Sequence, residues 1–220
     1  MTSNTSKIQS FTVDGNSVLS KSLIDQLKSS IDSASEKSCL VIQITGTKDQ
    51  QLLTWPGSAP ELTVDLISKW EQLLRQIELL NSITCATIEG HCNECGLQLL
   101  LAADFRILQK DATININKDG MWPGMAIHRL ANQLGTSAAR RLVFFAKNIS
   151  ANKAFEEKLV DIIANDIEIE KDKFLSTLTT ISLPSTYLRR SLLLEATSEP
   201  FETALGSHLA ACDRLLKKTT

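Results

Sequence analysis

Residues 84–104 read TCATIEGHCNECGLQLLLAAD. Ile83 to Ile88 is a short apolar run rich in β-branched residues, stopped by Glu89-Gly90, and reads as a buried strand. HCNECG, residues 91–96, reads as a loop, and GLQLLLAA, residues 96–103, as a short helix apolar on every side. A strand, a loop and a buried helix in that order predict an α/β protein. The helix start also presents backbone N–H groups that have no partner within the helix. With the helix dipole behind them, such groups can hold an anion or a polarised carbonyl oxygen.

Outward from this stretch the same alternation continues. Residues 8–13 predict a strand ending at Asp14-Gly15, and Cys39 to Ile44 predicts another ending at Thr45-Gly46. Leu23, Ile24, Leu27 and Ile31 set a helix over 20–34, and Leu66, Trp70, Leu73, Leu74 and Ile77 set one over 62–80. Phe105–Leu108 and Thr113–Ile116 read as two short strands, and NKDGMWPGM, residues 117–125, as a turn. Helices follow only: one with Ile127, Leu130 and Leu134, stopped by Gly135, then 137–146, 150–160, 185–196 and 200–217. The chain therefore divides into an α/β core, 1–183, and C-terminal helices, 184–220, suited to capping or oligomerisation.

Composition limits the function. The chain has 220 residues, 43% of them hydrophobic, which suffices for a core without disulfide or metal. Twenty-three Lys and Arg against 25 Asp and Glu leave no basic excess for a phosphate backbone, so nucleic acid is not an expected partner. No apolar run approaches the ~20 residues that span a bilayer. The polar start, MTSNTSKIQS, has no signal-peptide core, so a cytoplasmic protein is expected. Five cysteines, an odd number in mostly apolar contexts, point to free buried thiols.

The usual catalytic constellations are missing. His91, Cys92 and Cys95 could form half a zinc site, but no second ligand pair stands elsewhere, and no metal is expected. The Cys-x-x-Cys pair lacks the surroundings of a redox motif. No Gly-x-Ser-x-Gly elbow, phosphate loop or dinucleotide fingerprint occurs. His128 and His208 sit within helices, where a structural role is expected.

IEGHCNECGLQLLLAADFRIL, residues 88–108, resembles the glycine-run, apolar-helix and Asp-strand pattern of the enoyl-CoA hydratase/isomerase (crotonase) superfamily. GMWPGMAIHRLANQLG, residues 120–135, resembles that family's Gly-x-x-Pro-Gly turn and Arg-Leu helix, and RLVFFAKNISANKAFEEKLVDII its following segment. The resemblance spans about residues 8–200. It implies the crotonase fold, a β-β-α spiral with a helical C-terminal part, in a trimer, a hexamer or a hetero-complex. It also implies a CoA thioester as substrate and no further cofactor. DLISKWEQLL, WPGMAIHRLA and FETALGSHLAACDRLLKK look like a narrower group, the short crotonase homologues of 3,5-dihydroxyphenylglycine biosynthesis. Members of that group work beside a type III polyketide synthase. The likeness implies a part in antibiotic-type secondary metabolism, assisting dehydration and aromatisation of a malonyl-CoA-derived polyketide to 3,5-dihydroxyphenylacetyl-CoA.

The resemblance also shows departures. Hydratases of the family carry two glutamates; here one position reads Gln98, and the other falls in Ile116-Asn117-Lys118-Asp119 without a Glu. A carboxamide takes up no proton at neutral pH, so ordinary enoyl-CoA hydration should be lost. The family's oxyanion donor in the glycine run falls on the N–H of Cys95. Its second donor lies in the loop TKDQQLLTWPGS, residues 47–58, which does not align residue by residue. Asp119 is the preferred relocated acid or base, with Glu94 in reserve; Cys95, Gly96, Gln98, Trp122 and Gly124 would line the acyl site. A dehydratase-like lyase, a non-catalytic activator of the synthase and an ordinary hydratase or isomerase all remain open.

Overall fold

The computed structural model describes residues 8–34, 38–47, 55–57, 62–116, 124–180 and 182–217. It falls into two compact units, Met1–Ser176 and Thr177–Thr220. In the first, β1 (Ile8–Asp14), β2 (Cys39–Thr45), β3 (Ile83–Glu89), β5 (Phe105–Gln109) and β8 (Ile162–Ala164) form one parallel sheet in the order β1-β2-β3-β5-β8. A second, small sheet joins β4 (His91–Cys92), β6 (Thr113–Asn115) and β7 (Asn148–Ser150). The expected α/β class is what the chain forms. Parallel strands need helical crossovers, and α1 (Lys21–Ala34) and α2 (Val64–Leu79) supply the first two. Each turns its apolar stripe inward: Leu23, Ile24, Leu27 and Ile31 on α1, and Leu66, Trp70, Leu73, Leu74 and Ile77 on α2. Thr63 starts α2 by accepting from Leu66 N at 3.2 Å.

The three leading strands end level. Asp14, Thr45 and Glu89 are register partners, and each is followed by glycine. A side chain on Gly15 or Gly46 would collide with the carbonyl oxygen of His91, and one on Gly90 with that of Gly46. Gly90 also has φ +73°, which an L residue rarely adopts. The chain can thus cross closely over the strand ends, form β4 and enter α3 (Glu94–Leu101), all eight residues of which are buried.

Three expectations change. HCNECG is not simply a loop: His91 and Cys92 pair with Thr113 and Ile114, and helix begins at Glu94. Strands are not confined to the first half, since β7 and β8 flank α5 (Ala151–Glu156). A helix absent from the sequence reading, α6 (Ile167–Thr177), follows β8, and its Phe174 stacks on Phe105 with centroids 4.4 Å apart. By contrast Gly135, with φ 78° and ψ 155°, breaks α4 (Ala126–Phe145) where the sequence predicts a stop. Ser150 caps α5 through Lys153 N, without a capping box.

Past the kink, Arg141 on α4 meets Glu157 just after α5. Its Nη2 lies 2.6 Å from Glu157 Oε2, and Lys153 Nζ lies 2.9 Å from Oε1. The second unit holds α7 (Leu183–Ala196) and α8 (Phe201–Lys217), which pack on each other, with Ser207 Oγ donating to Glu195 Oε1 at 2.6 Å. Among the described residues no helix is long and apolar enough to cross a membrane.

Two predictions follow from this packing. Gly46→Ala should cost about 3 kcal/mol or more, because backbone, not a flexible side chain, stands in the way. Gly206→Ala in α8, where a Cβ meets nothing within 4 Å, should instead gain up to ~1 kcal/mol; urea midpoints of both variants check this. Hydrogen bonds from Arg141 and then Lys153 hold the Glu157 carboxyl down to about 2 from an ordinary 4.5. A depressed pKa stabilises the fold above the unfolded value and loses that contribution as pH falls through the folded one. The stability gap between wild type and Glu157→Gln should therefore be full above pH ~4.5 and close as pH approaches ~2. Acid denaturation of the two proteins would show it, and a gap independent of pH would contradict it.

Candidate active site

Asn93 sets the start of α3. Its own N–H donates to Gly15 O at 2.9 Å, and its Nδ2 to Ser17 O at 2.8 Å. These bonds aim Oδ1 back at the helix, where it accepts from Cys95 N at 2.9 Å. Asparagine is among the best N-cap residues for this reason. The Cys95 N–H, expected to face an acyl oxygen, is thus already engaged by the cap. An incoming carbonyl would have to share that proton or displace the carboxamide.

The thiols here are inert. Cys92 and Cys95 are wholly buried. Burial pushes the Cys95 thiol up to about 12, against a smaller lowering from the Trp55 N–H, and pushes the Cys92 thiol higher. A protonated thiol is neither a nucleophile nor a metal ligand. The His91 ring pairs with the Thr113 hydroxyl through Nδ1. All five cysteines are free, with Cys212 alone among them exposed.

Gly96 serves packing. A Cβ there would press on Cys92 Sγ and Cβ and on Ile44 Cγ2, so the glycine lets α3 settle on β4 and β2. Glu94 is buried in the first turn of α3, where a negative charge suits the dipole, and it is engaged within the fold. Gln98 is completely buried. Its Oε1 accepts from Trp70 Nε1 at 2.9 Å. An indole N–H only donates, so the carboxamide can face it only with oxygen; Nε2 is left pointing away and has no hydrogen-bond partner.

Trp55 closes the group. It is wholly buried, with its ring 5.5 Å from that of Trp70. The segment that carries it is tied down by Leu19 N, which donates to Pro56 O at 2.8 Å. Gly124 belongs to a different fixture. Its φ of +71° turns the chain into α4, and a Cβ there would meet Glu71 Oε1. That oxygen accepts from Met125 N at 2.7 Å, while Arg129 binds Glu71 Oε2 at 2.7 Å and Glu78 Oε1 at 2.6 Å. Asp119 and Trp122 lie outside the described residues, as do Asn117, Lys118 and most of the 47–58 loop.

The structure therefore brings Glu94, Cys95, Gly96 and Gln98 together on α3 and holds Gly124 on an α2–α4 clamp. Asn93, Trp55 and Trp70 escaped the sequence reading. Asn93 carried a signal, a preferred N-cap residue ahead of an apolar helix. Trp70 read only as one more apolar position on α2.

A family model described as enoyl-CoA hydratase/isomerase matches residues 16–220. The chain belongs to the enoyl-CoA hydratase/isomerase family. A protein of Amycolatopsis orientalis named "Enoyl-CoA-hydratase" is 34% identical over 211 residues, 94% of each chain. An enoyl-CoA hydratase structure from Shewanella pealeana superposes with TM-score 0.82 at 15% identity, covering 95% of this chain and 84% of that one. A Thermobifida fusca chain solved with acetoacetyl-CoA gives TM-score 0.77 at 17% identity, covering 96% and 92%. Such likenesses show the fold, and it is the crotonase fold expected from the sequence.

Asn93→Ala should lower stability by about 1–2 kcal/mol, since it strips the cap from Cys95 and the bond to Ser17. Asn93→Ser should recover much of it. Chemical denaturation of the three proteins measures this; a loss below ~0.5 kcal/mol would mean that the cap contributes nothing of note.

Proposed function

We propose that this chain binds a CoA-linked acyl chain beside the start of α3 and serves a type III polyketide synthase. There it assists dehydration and aromatisation of a malonyl-CoA-derived polyketide towards 3,5-dihydroxyphenylacetyl-CoA. The observation that carries the reading away from ordinary hydration is Gln98. Its carboxamide replaces an acid–base group and is pinned through Oε1 by Trp70, so it can donate hydrogen bonds but cannot move a proton. CoA-thioester binding is supported by family membership and by the fold-mate that holds acetoacetyl-CoA. The synthase connection is supported by the likeness of DLISKWEQLL, WPGMAIHRLA and FETALGSHLAACDRLLKK to the dihydroxyphenylglycine group. On this reading the protein is cytoplasmic, works as an oligomer or hetero-complex, and needs no cofactor beyond the CoA of its substrate.

A second reading, an ordinary hydratase, is favoured by the name of the 34% identical relative. The two differ in a simple assay. The purified chain alone should leave crotonyl-CoA unhydrated; turnover near ~1 s⁻¹, a modest enzyme rate, would restore the ordinary reading. With a cognate type III synthase, adding the chain should raise the aromatic thioester yield. Asp119→Asn should then cut that yield by at least ~10²-fold if Asp119 supplies acid–base catalysis. Full yield from both Asp119→Asn and Glu94→Gln would assign the chain a binding and activating role without proton transfer.

A further inference from the structure

The last turns of α4, then β7 and α5, expose a surface that is both aromatic and cationic. Phe144, Phe145 and Phe155 are 62%, 70% and 51% exposed, and the first two rings meet edge to face at 6.1 Å. The same stretch, 140–158, carries five basic residues, Arg140, Arg141, Lys147, Lys153 and Lys158, against two acidic ones, Glu156 and Glu157. The whole chain has the opposite sign, with a formal net charge of -2. Arg141 joins the elements by reaching Glu157 at 2.6 Å, and Lys153 shares that carboxylate at 2.9 Å. Phe144 and Phe145 lie one helical turn beyond Arg140 and Arg141, so each ring neighbours a guanidinium on its own face of α4. Among the described residues Arg140, Lys147 and Lys158 form no ion pair.

α5 ends in a Schellman turn: Leu159 N donates to Ala154 O at 2.7 Å, and Lys158 N to Phe155 O at 3.0 Å. The residue after the cap must then be left-handed, and glycine is its usual occupant. Here Lys158 takes that place with φ 60°, and it alone among the described residues is at positive φ without being glycine. A β-carbon disfavours this conformation, so glycine would suit the fold better than lysine does. The exposed ammonium returns no ion pair within the fold, and strain kept at such a position points to function. Free cations around exposed rings fit a counterpart that brings carboxylates around apolar side chains. Glu156 and Glu157 within the patch would oppose anionic headgroups or phosphates, whereas a protein can place its own groups to suit them. We propose that this α4–β7–α5 surface docks a partner protein through an acidic, apolar patch of that partner. The partner's identity rests on the reading that the chain serves a type III synthase, and the surface is the face that meets it.

Interferometry of the purified full-length chain on an immobilised cognate type III synthase, at low and at high salt, tests it. Wild-type association should slow at high salt, because exposed opposite charges are screened. Phe144→Ser together with Phe145→Ser should weaken binding at least ~10-fold, the loss of one anchoring side chain. Lys158→Gly separates docking from folding. It should raise the urea midpoint by relieving the left-handed residue, yet slow association at least ~3-fold and flatten its salt dependence. A variant that folds more stably and docks more poorly has lost a contact, not its structure. Wild-type affinity in both variants would overturn the docking face while leaving the synthase partnership intact. No binding of the synthase by the wild type would overturn the partnership, and the docking face with it. The proposal would also be wrong if the substitutions spared synthase binding and instead abolished binding to phosphatidylserine vesicles, or a dimer of the chain seen by sedimentation.

Discussion

Everything at the candidate site depends on how closely the backbone passes over the ends of β1, β2 and β3. Gly15, Gly46 and Gly90 stand level there, and the His91 carbonyl lies against the first two. Only glycine allows main chain to approach main chain so nearly. Hydrogen bonds then fasten the crossing: Gly15 N to Thr45 O at 2.7 Å, Gly46 N to Glu89 O at 2.9 Å, and Thr113 N to Gly90 O at 3.0 Å. Asn93 arrives next to Gly15 because of this crossing, and α3 starts where Asn93 is held. With larger residues at these turns, α3 could not enter the interior at this point, and Gln98 would not meet Trp70.

The helix that supplies Trp70 performs a second task. One turn of α2 carries Trp70 and Glu71, which point to different neighbours: Trp70 to Gln98, Glu71 to Met125 N and Arg129. Arg129 is itself buried and divides its guanidinium between Glu71 and Glu78. Buried charges are tolerated only when so paired, and removing one partner typically costs several kcal/mol. The clamp thus couples the Gly124 turn to the same helix that orients Gln98. A shift of α2 would move both, which ties the geometry around Gln98 to that of the segment entering α4.

The sequence made four of the main sheet's five strands, β1, β2, β3 and β5, and the first three helices legible. Six-residue runs rich in apolar residues, each followed by one polar residue and a glycine, and stripes of four or five apolar residues leave little choice of structure. Short ladders carry no such signal. His91–Cys92 pairs only because the crossing brings it beside β6, and β7 and β8 are three residues each. Helix α6 was invisible for another reason: IEIEKDKFLST spreads charge around the helix and buries only Ile167. At the site, the family resemblance singled out Gln98, and residue type excluded acid–base action by it. The direction of its amide could not be read, since that is set by Trp70, 28 residues away, which looked like any other core position. Nor did the resemblance that marked Cys95 as a backbone donor show that Asn93 would reach its N–H first.

A carboxamide held as Gln98 is held cannot by itself hydrate an enoyl thioester. That reaction needs water deprotonated and a carbon protonated, and neither Gln98 nor Trp55 can do either. The proposed function instead brings to it a chain of alternating carbonyl groups. The hydrogens between two carbonyls are far more acidic than those beside a lone thioester, so enolisation asks less of the protein. What limits such a chain is the number of ways it can fold and enolise. On the proposed function, orienting such a chain would be catalysis by position and electrostatic preference. On the proposed function, a glutamine in place of a glutamate would change the role of the site without emptying it. The dipole of α3 still favours negative charge at its first turn, where Asn93 caps the helix and Glu94 stands.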